Sequence, residues 1–192
     1  MSLSWLSPRF RRRAASLLLL AGSAAMIATS PPDSWHQEAN LRGRPIRLDA
    51  GSPTDSRSMS VVVTQSSASD KGVQGGLRVE LFARWIPPAG GSDEAKPWLR
   101  ARLVRDGVPQ ETKVLVLERA GSSATLPLYT GVFSQPCVKT RRCEASVQLE
   151  VERQAEPIGG VIEVDWSASL GVHGPDDELE VPKGLEVRLT ED

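Results

Sequence analysis

The chain has 192 residues, 40% of them hydrophobic and only 5% aromatic, with 23 basic and 24 acidic side chains for a formal net charge of −1. That length suits a single domain with a proper core. The near-balanced charge makes the chain a poor candidate for general nucleic-acid binding, which depends on a basic surface that neutralises phosphates.

The first residues, MSLSWLSPRFRRRAASLLLLAGSAAMIATSPPDS, place Arg9, Arg11, Arg12 and Arg13 ahead of an uncharged stretch from Ala14 to Ser30. Basic cluster, apolar run and small residues in that order are the pattern of a secretory signal peptide, with cleavage expected between residues 23 and 30. The stretch falls short of the ~20 strongly apolar residues that span a bilayer, so no stable membrane span is expected once the signal is gone. Its loss removes four arginines and no acid, leaving 19 basic against 24 acidic residues and a net charge near −5. The organisation read from this is a signal peptide over 1–28, a polar and loosely ordered segment over 29–43, and one domain over 44–192. The location implied is periplasmic or secreted.

From residue 44 onward the apolar positions recur with a period of two, the mark of half-buried strands. In chain order the strands are RPIRLDA, MSVVVTQ, LRVELFARW, WLRARLVR, KVLVLE, TLPLYTGVF, EASVQLEVE, VIEVDWSASL and LEVRLTE. EASVQLEVE is the cleanest, with Ala145, Val147, Leu149 and Val151 on one face and polar residues on the other. KVLVLE is apolar from Val114 to Leu117, which predicts a strand covered on both sides or one carrying a bulge. About nine short strands separated by Gly, Pro, Ser and Asp clusters indicate an all-β fold, a two-layer antiparallel β-sandwich. An immunoglobulin-like topology is favoured at this size, with a jelly roll or a closed barrel as alternatives. Asp106-Gly107 predicts a tight hairpin turn, and QAEPIGG is read as joining EASVQLEVE to VIEVDWSASL in a second hairpin.

Cys137 and Cys143 are the only cysteines, and in an exported chain such a pair most simply forms a disulfide. The bridge is expected to staple the open end of a hairpin between TLPLYTGVF and EASVQLEVE. The C-x5-C spacing is not that of a redox centre, and His36 and His173 lack ligand spacing for zinc. The clamped loop carries Lys139, Arg141 and Arg142, candidates for contact with a protein or an anionic envelope component. A polar hairpin tip explains the same residues without any partner, and a protease-inhibitory loop is a further alternative.

Glu150, Glu152, Glu163 and Asp165 face outward, as do Arg78, Arg84, Arg100 and Arg102. Neighbouring strands would make these ordinary cross-strand pairs. Asp176, Asp177 and Glu178 offer oxygen ligands for calcium, although their spacing departs from the twelve-residue loop motif. Trp85 and Trp166 are expected in the core, and Trp98 at a partly exposed strand entrance. No nucleophile motif, phosphate loop or histidine beside a nucleophile is present, so no catalytic residue and no cofactor is assigned. The function expected from these features is that of a non-enzymatic binding or assembly module of the bacterial cell envelope, acting through loops and an exposed strand face. The alternative from another class is a secreted hydrolase without a recognisable signature.

Overall fold

A computed structural model describes residues 35–68, 72–91, 96–133, 137–154, 159–174 and 180–192, so the stretch expected to be a signal peptide lies outside the described residues. Among the described residues there are ten strands and no helix: β1 (His36–Arg42), β2 (Ile46–Leu48), β3 (Thr54–Thr64), β4 (Gln74–Ile86), β5 (Trp98–Arg105), β6 (Val108–Val116), β7 (Ser123–Gly131), β8 (Arg142–Arg153), β9 (Val161–His173) and β10 (Glu186–Glu191). They make two antiparallel sheets. The first runs β1-β9-β4-β7 with β2 also on β9, and the second runs β10-β3-β8-β5-β6.

The all-β sandwich is as the alternation required, but the topology is not the favoured immunoglobulin one. Among the described strands only β1 to β2 and β5 to β6 stay in one sheet; every other connection crosses to the opposite layer. With β1 and β2 counted as one interrupted strand, four strands facing four in this order form a jelly roll, here with β10 added at one side. Two expected hairpins are thereby corrected. β8 and β9 lie in different sheets, and so do β7 and β8. Period-two alternation reports which face is buried and carries no signal for the layer a strand joins. The hairpin at Asp106-Gly107 is present: both residues take positive φ, 52° and 77°, which is the geometry of a two-residue turn matched to strand twist.

The segment expected to be loosely ordered contains β1, paired residue for residue along β9 from His36↔His173 to Arg42↔Ser167. Its sequence, HQEANLR, hides a strand because only Ala39 and Leu41 are apolar and both are merely half-buried at the sheet edge. Between β1 and β2 one extra residue is accommodated, since Arg42 faces Ser167 while Ile46 faces Val164. This bulge holds Pro45 where no ladder donor is needed. It also folds against Trp166, whose Nε1 donates to the Arg44 carbonyl at 3.0 Å.

The two inner faces supply the core: Leu77, Val79, Leu81 and Trp85 of β4, Ile162, Val164, Trp166 and Leu170 of β9, opposite Met59, Val61 and Val63 of β3 and Val147, Leu149 and Val151 of β8. Trp85 and Trp166 are both fully buried, as expected, and Trp98 is half-buried. KVLVLE is corrected in part: it is not covered on both sides but belongs to an edge strand, with Val114 and Val116 exposed, and the bulge its strand does carry sits at Gln110, opposite the Leu103/Val104 step of β5 and ahead of the apolar run.

Both sides of the sandwich are closed by charged side chains that reach between layers. Lys113 of β6 donates to the Pro127 carbonyl of β7 at 2.7 Å, and the Glu111 carboxylate accepts the Tyr129 N–H. These occupy edge groups on β7 that another strand would otherwise pair with. On the opposite side Glu191 of β10 accepts from the Arg44 backbone N–H and the Arg44 guanidinium, each at 2.9 Å, with Arg57 at 3.8 Å. Burial alone would raise the Glu191 carboxyl; the Arg44 backbone N–H, the Arg44 guanidinium and Arg57 outweigh it and hold it below its ordinary value. A depressed folded-state value means that this group stabilises the fold above the unfolded glutamate value of about 4.3, and that the contribution fades as pH falls through the lower folded value. Glu191→Gln should therefore lower the unfolding midpoint at neutral pH, and the gap to the parent should narrow on acidification. Thermal unfolding of both proteins across an acid series measures this; a constant gap at all pH values would contradict it.

Candidate functional site

The disulfide joins Cys137 and Cys143 with their Cα atoms 6.1 Å apart. Cys137 forms an isolated antiparallel bridge with Val73, the residue just before β4, and Cys143 pairs with Val63 of β3. The bridge therefore ties one sheet to the other across a crossover, where a hairpin staple was expected. Cys137 is buried and Cys143 packs against the core, so the sulfurs point inward and the five residues between them are pushed out.

Within the loop, Gln65 holds the backbone from below. Its N–H donates to the Arg141 carbonyl at 2.9 Å, and its Nε2 donates to the Thr140 carbonyl at 2.7 Å. The Thr140 hydroxyl donates to the Arg142 carbonyl at 2.9 Å. Lys139 adopts φ 57°, a left-handed conformation that costs a side-chain-bearing residue roughly 1–2 kcal/mol. The three candidate cations do not behave alike. Arg142 is the first residue of β8 and is paired with Glu144. Lys139 and Arg141 are exposed and have no carboxylate partner among the described residues.

The loop has a neighbour that no pattern of residues connects with it. Ser66, next to Gln65, donates its N–H to the Lys183 carbonyl at 2.9 Å. Two consecutive amides of one chain thus hold the backbones of Arg141 and Lys183, because β3 lies between β8 and β10. Lys183 is exposed and also lacks an acidic partner among the described residues. It lies 42 positions after Arg141 in the chain, and no local pattern links the two.

Two shallow grooves lie on the outer sheet faces. One, about 500 Å³, sits on the second sheet and is lined by Asp55, Arg100, Arg102, Glu150 and Glu152. Its charges are used up in cross-strand pairs, Arg100 with Glu152 and Arg102 with Glu150. On the first sheet Arg84 likewise holds Glu163 at 2.6 Å. The acidic and basic outward rows are therefore neighbours. Arg78 instead pairs along its own strand with Glu80, and Asp165 is exposed.

The other groove, about 730 Å³, lies on the first sheet over Gly76, Gly131 and Gly171. These glycines face one another in register across β7, β4 and β9 and leave a row without side chains. Tyr129 at its rim has its ring centroid 5.5 Å from the Arg78 guanidinium carbon and 5.4 Å from the Lys113 ammonium, so its π-face is already engaged by cations.

Among the described residues no group of His, Cys, Asp or Glu is arranged to hold a metal ion, and the calcium candidates Asp176, Asp177 and Glu178 lie outside them. No described helix is long and apolar enough to cross a membrane.

No protein-family model matches the chain, and no curated protein matches it. Solved structures with similar arrangement include dimeric latent PorU from Porphyromonas gingivalis, at 10% identity and TM-score 0.38, covering 76% of this chain and 13% of that one. The VP2 subviral particle of infectious bursal disease virus is similar at 14% identity and TM-score 0.38, covering 83% of this chain and 40% of that one. Broad bean stain virus follows at 7% identity and TM-score 0.34, covering 83% and 91%. The chain spans less than half the length of the first two.

Proposed function

We propose that the chain is an exported, non-catalytic binding module of the bacterial cell envelope, and that the clamped loop presents Lys139 and Arg141 to an anionic or protein partner. The observation that carries this reading is the contrast in charge use. The arginines facing outward on the sheets are spent on carboxylates, whereas Lys139 and Arg141 stand exposed on a segment tied at both ends. Tying the loop removes conformational freedom that docking would otherwise have to remove. The left-handed backbone at Lys139 supports the same reading, since strain of that kind concentrates at functional positions. It speaks against a protease-inhibitory loop, which would have to present an extended backbone. The hydrolase alternative requires convergent groups in a deep pocket; the two grooves described are open, and the glutamates lining the smaller one are held by arginines.

Capture of partners from envelope extract tests the reading. Lys139→Ala with Arg141→Ala should lose the captured component, while Arg142→Ala should retain most of it, because that guanidinium already serves Glu144. Lys139→Gly separates binding from folding. It removes the charge at a position where glycine is the cheaper residue, so stability should change by no more than about 1 kcal/mol while capture falls. An unchanged set of captured components in the double variant would reduce the loop to a structural clasp.

A further inference from the structure

The end of the sandwich that carries the disulfide loop combines two features that a soluble anion would not need together. Lys139, Arg141 and Lys183 are exposed cations without acidic partners among the described residues. Val138 and Val181 are exposed large apolar side chains, 40% and 54% accessible, and each lies within two positions of one of those lysines. The Gln65 and Ser66 amides gather the two segments at the end of β3, with Arg141 beside it on the β8 side and Lys183 beside it on the β10 side. Strand spacing then sets the Arg141 and Lys183 backbones about 10 Å apart, the scale of neighbouring lipid headgroups. The backbone is fixed on both sides, by the disulfide at Cys137 and Cys143 and by the Ser66 contacts to the Lys183 carbonyl.

We infer that this end docks on an anionic lipid surface, with Lys139, Arg141 and Lys183 meeting headgroup phosphates and Val138 and Val181 entering the interface between headgroups and chains. The inference rests on the reading of the loop as an anion-contacting site and names the anion as a bilayer. Clustered cations supply a salt-sensitive attraction that reaches about a Debye length from the surface. The valines add burial that salt does not screen. Their position beside the cations separates a bilayer from a free phosphate group, which offers nothing apolar to enter.

The test is co-sedimentation of the whole chain with vesicles of phosphatidylcholine, with and without phosphatidylglycerol, over a salt series. Residues 1–34 contribute equally to parent and variants, so differences report on this end alone. Binding should require the anionic lipid and weaken about fivefold for each of Lys139→Ala, Arg141→Ala and Lys183→Ala. The pair Val138→Ser and Val181→Ser should weaken binding several-fold while leaving its salt dependence unchanged.

If the cation variants weaken binding to an anionic probe such as polyphosphate while vesicle binding ignores the valines, the bilayer is wrong and the anion site stands. If the cation variants bind both vesicles and polyphosphate as the parent does, the lipid inference and the anion reading fall together.

Discussion

Trp166→Ala should remove about 3–5 kcal/mol of stability and lower the unfolding midpoint by roughly 6–20 °C. The indole fills the space under the bulge between β1 and β2, is 2% accessible, and donates to the Arg44 carbonyl. Truncation therefore leaves a cavity and deprives that carbonyl of its donor. A Cβ on Gly43 would overlap the same ring, which shows how little room the site has to relax. The cost should fall toward the upper end of the range because the bulge cannot collapse inward without breaking the Arg44 contacts to Glu191. Trp166→Phe keeps most of the buried area and loses the donor, so about 1–3 kcal/mol is expected. Denaturant unfolding of the two variants measures both; a Trp166→Ala cost below that of Trp166→Phe would refute the packing described.

Removal of the disulfide by Cys137→Ala with Cys143→Ala is the second large effect. Closing a ring of about seven residues is worth roughly 2–2.5 kcal/mol on the chain-entropy estimate, or about 4–10 °C in midpoint for a chain of this size. Because the bridge spans the two sheets, its loss should also free the loop between them. Capture of the proposed anionic or protein partner should then weaken several-fold even though every cation is retained, since the loop must be ordered on docking. A variant destabilised as expected, with capture unaltered, would show that the clamp serves the fold and not the presentation of Lys139 and Arg141.

Much of the fold was readable from residue alternation. The pattern in EASVQLEVE gave β8 and its buried face, and VIEVDWSASL gave β9 with Trp166 inward. What alternation cannot report is which strands become neighbours, because that is decided by contacts far apart in sequence. The expected hairpins on either side of β8 failed for that reason, and so did the preference for an immunoglobulin order. β1 escaped notice because an edge strand buries little: Ala39 and Leu41 are its whole apolar contribution. KVLVLE misled in the opposite direction, since Val114 and Val116 are apolar and yet exposed.

The candidate site was half visible. Pairing of Cys137 with Cys143 followed from their being the only two cysteines, whereas the lack of a carboxylate partner for Lys139 and Arg141 among the described residues could be read only from the fold. The engagement of Arg142 by Glu144 was latent in their i, i+2 spacing on one strand, where side chains share a face. Lys183 could not be found from sequence, because what joins it to the loop is a pair of backbone amides on a third segment.

The prevalence of crossings between layers has a consequence for how the molecule is reached in time. Seven of the nine successive connections among the ten strands change sheet, so apart from β5 and β6 hardly any strand meets its ladder partner until distant parts of the chain have come together. Ordering entropy is spent early and recovered late, which places folding in the slow regime of non-local β topologies, on the order of milliseconds to seconds. During that interval the alternating strands expose their apolar faces, and a polypeptide of this design spends its most vulnerable moments before β9, the strand that pairs with β1, β2 and β4, has found its place.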